Sequence, residues 1–156
     1  VSTILYYDTY MDNMTAGYGY GAEAVIDARL NQRWRGELSA SFMHSHASGY
    51  SNPDAPKWKM NLRQWIEASP ELDIVPSLYW VDSTLVTAPL TGADTTIGDY
   101  LRFDLAAHYR LAGGTTVSLV GQNLLERSHE EFYSELVRPV LSPVTRGWTT
   151  RLAHDF

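Results

Sequence analysis

Residues 101 to 111 read LRFDLAAHYRL. Leu101, Phe103, Leu105, Ala107, Tyr109 and Leu111 alternate with Arg102, Asp104, Ala106, His108 and Arg110. A helix would scatter the apolar residues around its axis. A strand collects them on one side, because successive side chains point to opposite faces. The stretch therefore reads as a strand with one apolar and one charged face.

The same period recurs along the chain. In 20–30, Tyr20, Ala22, Ala24, Ile26, Ala28 and Leu30 oppose Glu23, Asp27 and Arg29. In 33–45, Trp34, Leu38, Ala40 and Phe42 oppose Arg33, Arg35, Glu37, Ser39 and Ser41. In 57–67, Trp58, Met60, Leu62 and Ile66 oppose Lys57, Lys59, Asn61, Arg63 and Glu67. In 71–81, Leu72, Ile74, Leu78 and Trp80 oppose Glu71, Asp73 and Ser77. From about 145 to the end, Trp148, Thr150, Leu152, His154 and Phe156 oppose Thr149, Arg151 and Asp155. With 115–125 and the less clearly faced 3–11, the pattern predicts eight strands. Asn31-Gln32, Ser69-Pro70 and Ala112-Gly113-Gly114 carry the chemistry of tight turns. Residues 47–56, 83–97 and 126–144 read as long polar loops; the link at 12–16 is shorter than this alternation asks.

Composition bounds the function. The chain has 156 residues, enough for one domain, and begins at Val1 without an initiator Met or signal peptide. That start is expected of a mature chain or of a piece of a longer one. The formal charge is −6 and no Lys/Arg cluster offsets it, which argues against a nucleic-acid partner. With no cysteine there is no disulfide framework, thiolate zinc site or Cys nucleophile. No apolar run reaches the 18 or so residues of a membrane-spanning helix. Ten Tyr and five Trp stand against four Phe. Such amphipathic rings suit wet–dry boundaries, although aromatics are also favoured in ordinary strands.

Strand length and connection asymmetry favour a membrane barrel. The strands run to roughly ten residues, which matches a tilted bilayer crossing, whereas a globular strand averages about five or six. Period 2 alone would equally describe a soluble sandwich or lipocalin-like barrel, with the apolar face as its core. On the membrane reading the short turns and Phe156 are periplasmic and the long loops face outward. In SLVGQNLL, residues 118–125, the Gln122-Asn123 pair then lies where the strand leaves the hydrocarbon.

The stretches YGAEAVIDARLNQRWRGELSASFMHSHA (20–47), LRFDLAAHYRLAGGTTVSLVGQNLLERSHEEF (101–132) and RGWTTRLAHDF (146–156) resemble the C-terminal barrel strands of TonB-dependent outer-membrane receptors. The carrying residues are Phe103-Asp104-Leu105, Gly121 to Leu125, His129-Glu130-Glu131-Phe132 and the terminal Phe156. The resemblance implies an all-β antiparallel transmembrane meander, the last third of a 22-stranded barrel. The plug domain and TonB box would lie outside residues 1–156. It further implies uptake of a scarce nutrient (ferric siderophore, haem, cobalamin or similar) across a Gram-negative outer membrane, with no catalysis and no cofactor. Implied partners are membrane lipid, the rest of the barrel and its plug, the TonB complex, and the barrel assembly machinery reading Trp148, Leu152 and Phe156. Two residues depart from the family pattern: Pro76 inside a strand, where a bulge or bend is expected, and His154 at the third position from the end.

The candidate chemistry is modest. His44 and His46 share a strand face and could join His129 at a metal, but no third ligand has recognisable spacing. Arg63, Arg102, Asp104, Arg110 and Arg151 are expected to face the lumen as a hydrated ion-pair lattice. No Gly-x-Ser-x-Gly elbow is present, and no helix pattern follows Gly19 and Gly21. Two alternatives remain: a self-contained eight-stranded OmpA-like structural barrel and a soluble ligand-binding barrel.

Overall fold

The computed structural model describes residues 16–47, 55–87, 94–133 and 141–155. Within them lie eleven strands: β1 (Gly17–Asn31), β2 (Trp34–Ala47), β3 (Trp58–Ser69), β4 (Leu72–Val81), β5 (Thr84–Thr87), β6 (Asp94–Ile97), β7 (Tyr100–Leu111), β8 (Thr115–Gln122), β9 (Ser128–Tyr133), β10 (Leu141–Thr145) and β11 (Gly147–His154). Seven of them form one antiparallel meander in the order β1-β2-β3-β4-β7-β8-β11. These are seven of the eight strands that alternation predicts. The eighth, at 3–11, lies outside the described residues, as does Phe156.

The register keeps each face whole across the sheet. Ile26 sits opposite Leu38, Leu38 opposite Leu62, Leu62 opposite Leu78, and Leu78 opposite Phe103. A slip of one residue anywhere would mix the two faces. Trp34 donates its indole N–H to Gln64 Oε1 at 3.2 Å on the apolar side, near the short turns.

That apolar side is open. Ile26, Leu38, Met60, Leu119 and Leu152 are all exposed, and among the described residues no second layer covers them. A soluble barrel would bury this face as its core. Among the described residues the buried hydrophobics, Val86 and Ile97, lie instead outside the sheet on β5 and β6. Among the described residues no helix is long and apolar enough to cross a membrane, which leaves crossing by strands untouched.

Two of the expected loops are corrected. Residues 83–97 contain the β5/β6 ribbon, and 126–144 contain the β9/β10 ribbon but for its last residue, Thr145. Their strands span four to six residues, too short for alternation to reveal. The connections still alternate: tight turns join β1 to β2, β3 to β4 and β7 to β8, while the opposite ends carry the longer links. In the β7–β8 turn, Gly113 and Gly114 adopt φ of 84° and 78°, which a side chain disfavours.

Pro76 is also corrected, since no bulge forms there. The ladder from β4 to β3 lapses opposite Gln64 and Trp65 and resumes in the same register, with Arg63 opposite Ser77 and Ile66 opposite Ile74. The ladder to β7 runs on through Pro76 and Leu105. The missing N–H is thus absorbed on one side of the strand, without a change of register.

Candidate functional site

The charged face of β2, β3, β4 and β7 encloses a groove of about 710 Å³. Strand parity builds it, because Arg35, Arg63, Trp65, Tyr79, Arg102 and Asp104 all occupy the off-beat positions of their strands. Arg102 forks onto Asp104, with Nε to Oδ1 at 2.9 Å and Nη2 to Oδ2 at 2.6 Å. Its guanidinium carbon also lies 5.4 Å from the Tyr79 ring centroid. Arg63 donates to Tyr79 Oη at 2.8 Å and to Ser77 Oγ at 3.3 Å. Arg35 and Arg63 both approach the Trp65 ring, at 4.9 and 5.9 Å. Guanidinium and ring thus alternate across four strands, each cation on an aromatic face. His108 Nδ1 lies 2.8 Å from Ser118 Oγ on the same wall.

Three of the predicted wall residues, Arg63, Arg102 and Asp104, therefore meet in this groove. Arg110 shares the face nearer the short turns, where it pairs with Asp73 and donates to Pro70 O at 2.9 Å. Arg151 shares the face by register, opposite Ser118, but lies exposed on β11 and does not line the groove. Trp148 and Leu152 lie exposed on the apolar side.

The three histidines do not converge. His44 and His46 sit on β2 with their rings against Tyr20 and Tyr18. His129, on β9, stacks on Tyr100 at 4.3 Å and reaches Glu131 Oε1 at 2.7 Å. Among the described residues no group of three His, Cys, Asp or Glu is placed to hold a metal.

Sequence reasoning passed over Trp65 and Tyr79. Both fall on the charged beat of strands whose other beat is apolar, and that parity was the available signal. It also misread Asn123, although Gln122 beside it is exposed at the end of β8. Asn123 is fully buried, with φ 53°. Its N–H donates to Asp104 Oδ1 at 2.9 Å, and its Nδ2 donates to Val144 O at 3.0 Å. It is a packed knot between the wall and the β9/β10 ribbon, rather than a polar residue emerging into headgroups. The Leu124 N–H bond to Phe103 O, 2.8 Å, closes the same corner.

No family model matches this chain, and no curated protein does. Solved structures do. A chain in the complex of FpvAI with pyocin S2 matches at TM-score 0.77 and 14% identity, over 90% of this chain and 19% of that one. Pseudomonas aeruginosa FpvA bound to a heterologous pyoverdine with iron matches at TM-score 0.77 and 15% identity, over 90% and 20%. The ferripyoverdine receptor of the Pseudomonas aeruginosa outer membrane, bound to ferripyoverdine, matches at TM-score 0.75 and 15% identity, over the same shares. The present chain spans about a fifth of the length of the chains it matches. At such identities the likeness is one of fold: the seven-stranded meander has the barrel-wall fold of TonB-dependent receptors.

Proposed function

We propose that this chain is a C-terminal wall segment of a TonB-dependent outer-membrane transporter that takes up a scarce nutrient, with an iron chelate as the first cargo class to test. The observation that carries this reading is a sheet turned inside out. Its continuous apolar face is exposed while its charges line a groove, within a fold shared with outer-membrane siderophore receptors over 90% of the chain. A water-filled interior and a lipid-bathed exterior ask for that arrangement.

On this reading Arg63, Arg102, Asp104, Arg110 and Arg151 face the lumen, where a plug or passing cargo meets them. The short turns face the periplasm and the ribbons face outward. Trp148 and Leu152 contact lipid and, with Phe156, form the signal read by the barrel assembly machinery. The remaining barrel strands, the plug and the contact with TonB belong to other parts of the polypeptide. The wall itself performs no chemistry, and its neighbours in fold are receptors.

The test is the size and location of the native polypeptide. An antibody to residues 83–97, applied to isolated outer membranes, is expected to detect a band several times larger than 17.6 kDa. A band near 17.6 kDa in that fraction would instead identify a small self-contained barrel, and a purely soluble band would refute the membrane assignment.

A further inference from the structure

We infer that the ribbon-side end of the apolar face is a binding site for lipid phosphate, built from His44 and His46 in a cradle of tyrosines. The inference rests on the membrane-crossing reading above. On β2, Phe42, His44 and His46 follow one another along the apolar beat, opposite Ala22, Tyr20 and Tyr18 of β1. The Tyr20 and His44 ring centroids lie 5.1 Å apart, Tyr18 and His46 5.5 Å, and Phe42 and Trp58 4.7 Å. Tyr18 and Tyr20 remain 61% and 59% exposed. A band of rings at the end of an apolar wall is what a bilayer interface favours.

The histidines are what a plain aromatic belt does not need. An imidazole facing hydrocarbon without a hydrogen bond is costly. Among the described residues neither ring has a hydrogen-bond or charged partner, only its tyrosine contacts. The apolar beat of β1, β2 and β3 carries no Asp, Glu, Lys or Arg. The patch therefore offers imidazole N–H and phenol O–H donors and no anion of its own. At this height the bilayer supplies acceptors as headgroup phosphate oxygens, which accept strongly from such donors. Two residues apart on a strand, the imidazoles are separated by about 7 Å, so both can reach a single headgroup layer.

The experiment uses the native full-length polypeptide, extracted from outer membranes in detergent and analysed by native mass spectrometry. The probes are dioleoyl phosphatidic acid and the matching diacylglycerol, which differ only in the phosphate. The wild type is expected to retain the phosphorylated lipid about tenfold better, the scale of one charge-assisted hydrogen bond. The H44A/H46A pair is expected to erase the preference and H44Q/H46Q to keep part of it. Heat-modifiable gel mobility reports folding. If the double alanine variant does not fold, the comparison of the two lipids on the wild type decides alone. Equal retention of both lipids by the wild type, or an undiminished preference in a folded alanine pair, overturns the inference and leaves the barrel reading standing. Absence of the polypeptide from the membrane fraction overturns the barrel reading itself.

Discussion

Asp104 accepts the backbone N–H of Asn123 through the same oxygen, Oδ1, that takes the Arg102 Nε–H, each at 2.9 Å. One carboxylate thus fixes a wall arginine and the first residue beyond β8. Asp104→Ala would leave a buried N–H and a guanidinium without their acceptor. The expected loss is about 1–3 kcal/mol. It should appear as a lower unfolding temperature by heat-modifiable mobility, with Asp104→Asn intermediate. An unchanged temperature for the alanine variant would refute this role.

Asn123 combines a positive φ with a side-chain bond to the ribbon. Asn123→Gly keeps the backbone conformation and removes the bond to Val144 O. Asn123→Val adds a β-branched residue where the left-handed region excludes it. The valine variant is expected to assemble less well than the glycine variant. Protease sensitivity in the β9/β10 ribbon should rise in both.

Leu105 and Ala106 test the faces one residue apart. Leu105 lies on the apolar side opposite Gly121, and Ala106 lines the groove opposite Val120. Arginine at a bilayer midplane costs about 2–4 kcal/mol, so Leu105→Arg is expected to lower the yield of assembled barrel. Ala106→Arg should be mild. The reverse order would mean that the faces are exchanged.

Gly121 leaves room for a neighbouring ring. A Cβ added there would stand 2.6 Å from Trp148 Cζ3 and 2.9 Å from Leu124 Cδ2. Gly121→Ala must therefore displace the exposed Trp148 ring. A cost of about 1 kcal/mol is expected, at the low end for overpacking because that ring is free to swing. Removing the ring by Trp148→Ala should reduce the cost of Gly121→Ala in a double-mutant cycle and leave the part due to Leu124. Additive effects would show that the two positions are uncoupled.

Arg63 tests the groove against the fold. Its bonds to Tyr79 and Ser77 are part-buried and go to uncharged hydroxyls, so Arg63→Ala is expected to cost about 1–3 kcal/mol in stability. On the proposed transporter reading, uptake of an iron chelate by cells carrying the variant should fall by more than that stability loss explains. Wild-type uptake would leave Arg63 as wall structure only.

The sheet was legible because burying one face imposes a period of two. LRFDLAAHYRL keeps that period for eleven residues without interruption. The ribbons were not legible: TLVT and DTTI are four residues each, too short to display a period. Asn123 misled because polarity suggests solvent, whereas a tight corner needs an amide to satisfy backbone groups that leave the ladder. Trp65 and Tyr79 were passed over because hydropathy counts a ring as apolar, although a ring's face also receives a guanidinium. The histidine spacing said only that His44 and His46 share a face. Their parity with Phe42 puts them on the apolar beat; that His129 belongs to a separate ribbon required the structure.

The meander ends in two edges, β1 and β11, and among the described residues neither is paired on its outer side. The fifteen residues of β1 form a printed rule for whatever strand lies beside them. Every second position turns its backbone N–H and C=O to the open side, and the beat of Tyr20, Ala22, Ala24 and Ile26 dictates which neighbouring side chains must be greasy. A candidate neighbour can therefore be scored by its own alternation: sliding it along β1, only registers of one parity keep oil on oil and water on water. The seam is a reading frame, and a shift by a single residue turns the added strand inside out.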